Sequence, residues 1–203
     1  MKKNKKPSYH YPNKMGRIIL LAMEEILGRN GIHAILNHTK LHHWINNYPP
    51  NNLDLSFPFE DLSRIQVGLE EIYGPRGGQG LALRIGQASF KYGLREFGPM
   101  LGITDMAFRL LPLPQKLSTG AEIFAETFNK FTDQRVRIED TEEKIFWHIE
   151  RCPVCWQRNT SKPSCNLAVG ILQEALYWIS GGKFFNVEET HCIAQGDPSC
   201  TIV

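Results

Sequence analysis

The chain has 203 residues, 42% hydrophobic and 22% charged. That is the composition of an ordinary globular domain, and it excludes a disordered chain, a collagen-like fibre and a disulfide-dense miniprotein. Lys and Arg number 23 against 21 Asp and Glu, for a formal net charge of +2, so no global field draws the chain onto nucleic acid or an anionic lipid surface.

Residues 1–14 read as a flexible basic tail. Lys2, Lys3, Lys5 and Lys6 precede Tyr9-His10-Tyr11-Pro12, with no apolar stretch or small-residue cleavage site of the kind a secretion signal carries. No run approaches the roughly 18–20 apolar residues of a membrane span. A cytoplasmic location is therefore expected, with residues 15–203 as a single domain.

Met15–Arg29 carries Ile18, Ile19, Ala22, Met23, Ile26 and Leu27 at helical spacing, with Gly28, Asn30 and Gly31 as stop signals. A short helix around Thr39–Ile45 and then a loop fit the Asn- and Pro-rich stretch that follows. A second helix is predicted from Pro58 or Phe59 to Tyr73. Gly74-Pro75-Arg76-Gly77-Gly78-Gln79-Gly80 lacks the Lys-Ser/Thr of a phosphate loop and reads as a connector. The predicted helix over 80–98 is rich in small residues, and Gly80 and Gly86 inside it ask for a close neighbour or a ligand. A helical piece over Gly102–Leu111 and a helix over 115–131 complete the first part.

The period then changes from helical to alternating. Arg135–Glu139 and Lys144–Glu150 predict an antiparallel pair around a turn at Asp140–Glu142. Asn166–Ile179 is a strongly apolar helix, and Gly181-Gly182 cap it. Phe184–Cys192 and Ser199–Val203 predict a second antiparallel pair. Helices followed by strand, strand, helix, strand, strand give an α+β fold, with the N-terminal helices packed on an antiparallel sheet.

All five cysteines, Cys152, Cys155, Cys165, Cys192 and Cys200, lie in the last quarter of the chain. In a reducing compartment such clusters point to metal rather than disulfides. Gly196-Asp197-Pro198 is turn chemistry that brings Cys192 toward Cys200. Glu189 lies three residues before Cys192, so it joins them only if a bulge or bend falls at Thr190-His191. Cys165, at the start of the apolar helix, can reach the same point. Three thiolates and a carboxylate form a tetrahedral zinc set over 152–203. Cys152-Pro153-Val154-Cys155 leaves Cys152 or Cys155 as a replacement for Cys165, and His191 is a weaker rival.

The pattern Cys165-x4-Gly170, Gly181-Gly182, Val187-x-Glu189-Thr190-x-Cys192-x3-Gly196-Asp197-x2-Cys200 resembles the four-vinyl-reductase domain family. These are hydrocarbon- and other small-molecule-binding domains, related to bacteriochlorophyll-pathway proteins and to aromatic-sensing input domains, and in fold to vesicle transport-particle subunits. The resemblance implies a zinc held by Cys165, Glu189, Cys192 and Cys200. The Cys165-to-Cys192 spacing is one residue longer here than in the sensors, and the Cys152/Cys155 pair is additional. With all four positions filled by protein, the zinc is expected to be structural.

The resemblance further implies a cavity for a hydrophobic, aromatic or tetrapyrrole molecule. Trp147 and His148 are the candidate ligand-binding residues, only one of which can point inward on a strand. No nucleophile–base pair stands out, so a binding or sensor role is expected ahead of catalysis. The alternatives are an enzyme or substrate-carrying factor of bacteriochlorophyll or tetrapyrrole metabolism, and a protein-interaction scaffold. A homodimer through the N-terminal helices is expected, and no nucleic-acid partner.

Overall fold

A computed structural model describes residues 8–101, 106–141 and 143–203. The chain begins with strand β1 (His10–Pro12), helix α1 (Asn13–His38), a 3-10 turn at His42–Trp44 and strand β2 (Leu55–Pro58). Helix α2 (Phe59–Leu101), the short helix α3 (Met106–Arg109) and helix α4 (Leu113–Phe131) follow. Strands β3 (Arg135–Asp140) and β4 (Ile145–Arg151), helix α5 (Asn166–Ile179), and strands β5 (Glu189–His191) and β6 (Cys200–Ile202) complete the order. The expected α+β class holds, and among the described residues no helix is long and apolar enough to cross a membrane.

The tail expectation needs correcting at its inner end. Tyr11 is buried, and β1 pairs antiparallel with β2 through Tyr11 opposite Phe57. Tyr9, Tyr11, Phe59 and Trp156 cluster there, Tyr11 and Phe59 with ring centroids 5.1 Å apart. Their apolar area outweighs the basic composition of the segment. Residues 1–7 lie outside the described residues.

The long helices are each broken once by glycine. Gly28 sits at φ 69° and Gly74 at φ 75°, a left-handed backbone that side chains disfavour. Gly74 precedes Pro75, whose ring keeps the residue before it out of the helical region while itself suiting a first helical position. The expected connector is thus a single residue, and the helix restarts at once. The chain folds back so tightly that a Cβ on Gly78 would strike the backbone of Glu70.

The second half of α2 crosses α5 at backbone contact. A Cβ on Gly86 would overlap the Leu167 carbonyl, and one on Gly170 the Leu83 carbonyl. This answers the sequence question for Gly86, whereas Gly80 faces open space. The piece expected at Gly102–Leu111 is helical over Met106–Arg109; residues 102–105 lie outside the described residues.

The four-stranded sheet runs β3-β4-β6-β5, every pair antiparallel. The strand expected from Phe184 is shorter, because Phe184 is 90% exposed and only Glu189–His191 pair. One apolar core joins α1, α2, α5 and the inner face of the sheet.

Candidate functional site

Three short segments bring the cysteines together. Cys152 and Cys155 follow β4 directly, and Cys155 opens a tight turn in which the Arg158 N–H donates to its carbonyl at 3.0 Å. Cys165 precedes the first turn of α5. Cys192 and Cys200 bracket the final hairpin, whose turn is held by the Cys192 N–H donating to Asp197 Oδ2 at 2.8 Å. The register between β5 and β6 slips between Glu189 and His191, so the bend that the spacing demanded is present. It turns Glu189 onto the same side as Cys192.

All five thiols are buried and unbridged. Two groups of four donors arise, each with its ligand atoms within 4.8 Å of one another: Cys152, Cys155, Cys165 and Cys200, and Cys165, Glu189, Cys192 and Cys200. The sulfur separations are 3.5 Å for Cys152–Cys165, 3.3 Å for Cys155–Cys200, 3.7 Å for Cys165–Cys200, 3.9 Å for Cys165–Cys192 and 3.8 Å for Cys192–Cys200. A tetrahedron with metal–sulfur bonds of about 2.3 Å has edges of about 3.8 Å. His191 is exposed and bound to Thr190, away from the sulfurs.

The cluster is electrostatically divided. Hydrogen bonding with Cys152 raises Cys155, but the Cys165, Cys192 and Cys200 thiols prevail and hold it at about 6. Cys192 is likewise held at about 6, raised by Cys155 and lowered by Cys165 and Cys200. Burial, with hydrogen bonding to Cys152, pushes Cys165 well above the ordinary thiol range. Burial lifts Glu189 to about 8, against the pull of the Cys165 N–H that donates to Oε2 at 2.7 Å. Its Oε1 is buried with no partner. Low-lying thiolates beside protonated thiols, with a carboxylate oxygen left over, form an environment in which a cation can replace several protons at once.

Next to this cluster lies an apolar cleft between α1, the second half of α2, α4 and α5. Its cavity volume is about 90 Å³, and Ile18, Phe90, Phe97, Phe124, Phe128 and Ile171 supply much of its wall. Two hydroxyls on the lining are already engaged: Tyr11 donates to Gln134, and Thr127 to the Ile123 carbonyl. Ser89 Oγ is buried without a partner. The cleft reaches the cysteines through α5, since Leu167 and Ile171 line it two and six residues beyond Cys165.

Of the two expected ligand residues, Trp147 points inward against Phe124 and Phe128, at 5.5 and 6.2 Å between centroids. It lines two smaller cavities beside the cleft. His148 faces the opposite side of the sheet, bound to Thr201 Oγ1 at 3.0 Å. The resemblance implies a cavity, but not its place between these four helices. Its wall residues are the ordinary apolar positions of four helices, and only the unusual glycine content of α2 marked the region.

No family model and no curated relative matches the chain. Solved structures do. An H-NOX protein from S. oneidensis in the Fe(II)NO ligation state is 13% identical, with a TM-score of 0.56, over 92% of this chain and 96% of that one. A "Tt" H-NOX carrying two phenylalanine substitutions is 11% identical, with a TM-score of 0.53, over 94% of this chain and 91% of that one. At such identities the likeness is one of fold.

These matches correct two expectations. The fold along almost the whole chain is that of H-NOX (haem nitric oxide/oxygen binding) domains, a different family from the four-vinyl-reductase domains that the C-terminal motif resembles. A short motif of thiols and turn residues specifies a local hairpin and its donors, not the path of the whole chain. The structural zinc is withdrawn with that resemblance: a neighbour that shares the fold is an H-NOX protein in an Fe(II)NO ligation state. Sulfur donors alone do not select zinc among thiophilic ions.

Haem does not fit the cleft of this chain. Haem iron takes His, Cys, Met or Tyr as its protein ligand, and no histidine or cysteine is among the described lining residues. Burial pushes the Tyr11 hydroxyl well above its ordinary range, which disfavours a phenolate. Among the described lining residues only the Met15 thioether remains, and none is a lysine or arginine to partner haem carboxylates.

Proposed function

We propose that this chain is a binding or sensor domain for a small, uncharged hydrophobic molecule, with a thiolate-ligated metal centre anchoring one wall of its cavity. The apolar cleft carries this reading. Phenylalanines from α2 and α4 line it, and a few hydroxyls supply its polarity. Ser89 is the polar group free to orient a bound molecule. The shared fold with ligand-binding H-NOX proteins supports a sensor role. An apolar lining without a base beside any of its hydroxyls favours binding over turnover.

The metal half of the reading rests on donor geometry. Cys165, Glu189, Cys192 and Cys200 converge, as do Cys152, Cys155, Cys165 and Cys200, at separations suited to one thiophilic cation. Cys165 opens α5, and α5 forms part of the cleft wall, so a metal there fixes that wall relative to the final hairpin.

Naphthalene, followed by fluorescence, tests the cleft. Gly93 lines it, and a Cβ there meets nothing within 4 Å. Gly93→Leu therefore fills the space without backbone conflict and gains helix propensity. Wild type is expected to bind naphthalene, and the variant to stay folded and lose binding at least tenfold. Equal binding by both places any naphthalene elsewhere, and no binding by wild type ends the proposal.

A further inference from the structure

We propose that the cysteine cluster holds two thiophilic divalent cations rather than one, with the Cys165 and Cys200 thiolates bridging them. The inference rests on the metal reading above and goes beyond it in nuclearity and in the role of each sulfur.

The two donor groups share two members, Cys165 and Cys200, and no more. The remaining four donors fall into two pairs from different parts of the chain, Cys152 with Cys155 after β4, and Glu189 with Cys192 at the final hairpin. Each pair completes a four-donor group with Cys165 and Cys200 and not with the other pair, although the Cys155 and Cys192 thiols also act on one another. Two tetrahedra sharing one edge have this connectivity. The shared edge is the Cys165–Cys200 separation of 3.7 Å, close to the roughly 3.8 Å edge of a tetrahedral thiolate site. A thiolate sulfur has lone pairs enough to bind two cations.

A single ion leaves two buried donors behind in either arrangement. If Cys152, Cys155, Cys165 and Cys200 take it, Glu189 Oε1 stays buried and unpartnered. If the other group takes it, Cys152 and Cys155 stay buried beside the ion, at 2% and 1% exposure. The carboxylate oxygen is costly to bury without a partner, whereas Cys152 and Cys155, if neutral, keep sulfur partners at 3.5 and 3.3 Å. Two ions engage all six donors. Five thiolates and one carboxylate carry six negative charges, and two divalent cations offset four of them. Backbone amides face the remainder: the Ile193 N–H donates to Cys200 Sγ at 3.3 Å, and the Cys165 N–H to Glu189 Oε2 at 2.7 Å.

The full chain, reduced and stripped of metal under anaerobic conditions, is titrated with cobalt(II). Thiolate-to-cobalt absorption reports occupancy, native mass spectrometry counts ions, and electron paramagnetic resonance reports bridging. Saturation is expected at two equivalents, with the resonance signal per cobalt falling as the second ion enters, because shared thiolates couple the two spins. Cys192→Ser and the double variant Cys152→Ser/Cys155→Ser are each expected to saturate at one equivalent. Saturation of wild type at one equivalent overturns the two-ion site and leaves the single-ion reading standing. Two equivalents with uncoupled spins overturn the bridge, and no binding overturns both readings. The wild-type stoichiometry decides the matter even if the variants fail to fold.

Discussion

Tyr11 shows how one side chain joins several parts of the molecule. It belongs to β1, lines the apolar cleft, donates its hydroxyl to Gln134, and feels the charge of Cys152 and Cys165. Burial first, then those thiolates, push its pKa well above the ordinary value of 10.0. The raised value means that the folded state keeps the proton where the unfolded chain gives it up. The stabilisation is complete below about pH 10 and is lost as pH rises toward the folded pKa. Tyr11→Phe removes this linkage and leaves the Gln134 amide oxygen without its donor, at a cost of about 1–3 kcal/mol near neutrality. Denaturant unfolding at about pH 8 and about pH 11 should show the variant less stable at the lower pH and the gap narrowing at the higher. A gap that does not change with pH would mean that Tyr11 does not titrate between the two states.

Among the elements, the crossing of α2 and α5 governs the rest. Gly86 and Gly170 bring the two helix backbones into contact, and this fixes both the back wall of the cleft and the position of Cys165 at the start of α5. A methyl group at either position meets a carbonyl oxygen rather than the end of a flexible side chain. Gly86→Ala and Gly170→Ala are therefore each expected to destabilise by about 2–3 kcal/mol, despite the better helix propensity of alanine. Gly80→Ala, facing open space, is the control and should be neutral to stabilising. Thermal or denaturant melts of the three variants test the crossing, and equal effects at 80 and 86 would refute it. The β5–β6 slip between Glu189 and His191 works on the same scale. It reverses the strand alternation that would otherwise turn Glu189 away from Cys192.

Across the whole molecule, one continuous core runs from the β1–β2 pair through the helices to the sulfur cluster. The helical part has its own large apolar core, so the metal reading expects a folded but loosened chain without the ion. Chelation under reducing conditions should cost about 5 kcal/mol, below the roughly 10–16 kcal/mol seen where a metal is the main folding force. For a chain of this length that corresponds to a fall in melting temperature of about 10–20 °C. The cleft should bind naphthalene more weakly at the same time, because α5 supplies Leu167 and Ile171 to its wall. An unchanged melting curve after verified metal loss would remove the anchoring role.

Much of this was legible in the sequence wherever local chemistry decides the outcome. Asn166–Ile179, with its dense apolar run and double-glycine stop, is a helix over the bounds its pattern dictates. The alternation over 135–150 is a strand pair, with Val136 buried between exposed Arg135 and Arg137. Cysteine spacing and the Gly196-Asp197-Pro198 turn announced a sulfur cluster and the bend beside Glu189. Three things came only from the tertiary structure. Tyr11 and its neighbours form a strand because four aromatic side chains meet across the chain. Cys152 and Cys155 join the same cluster as Cys165 and Cys200 because β4 lies beside β6. The cleft exists because helices distant in sequence leave space between them. Spacing along a chain specifies turns, periods and the donors available; which donors share a point in space, and where packing stays incomplete, depends on long-range contacts that no local pattern encodes.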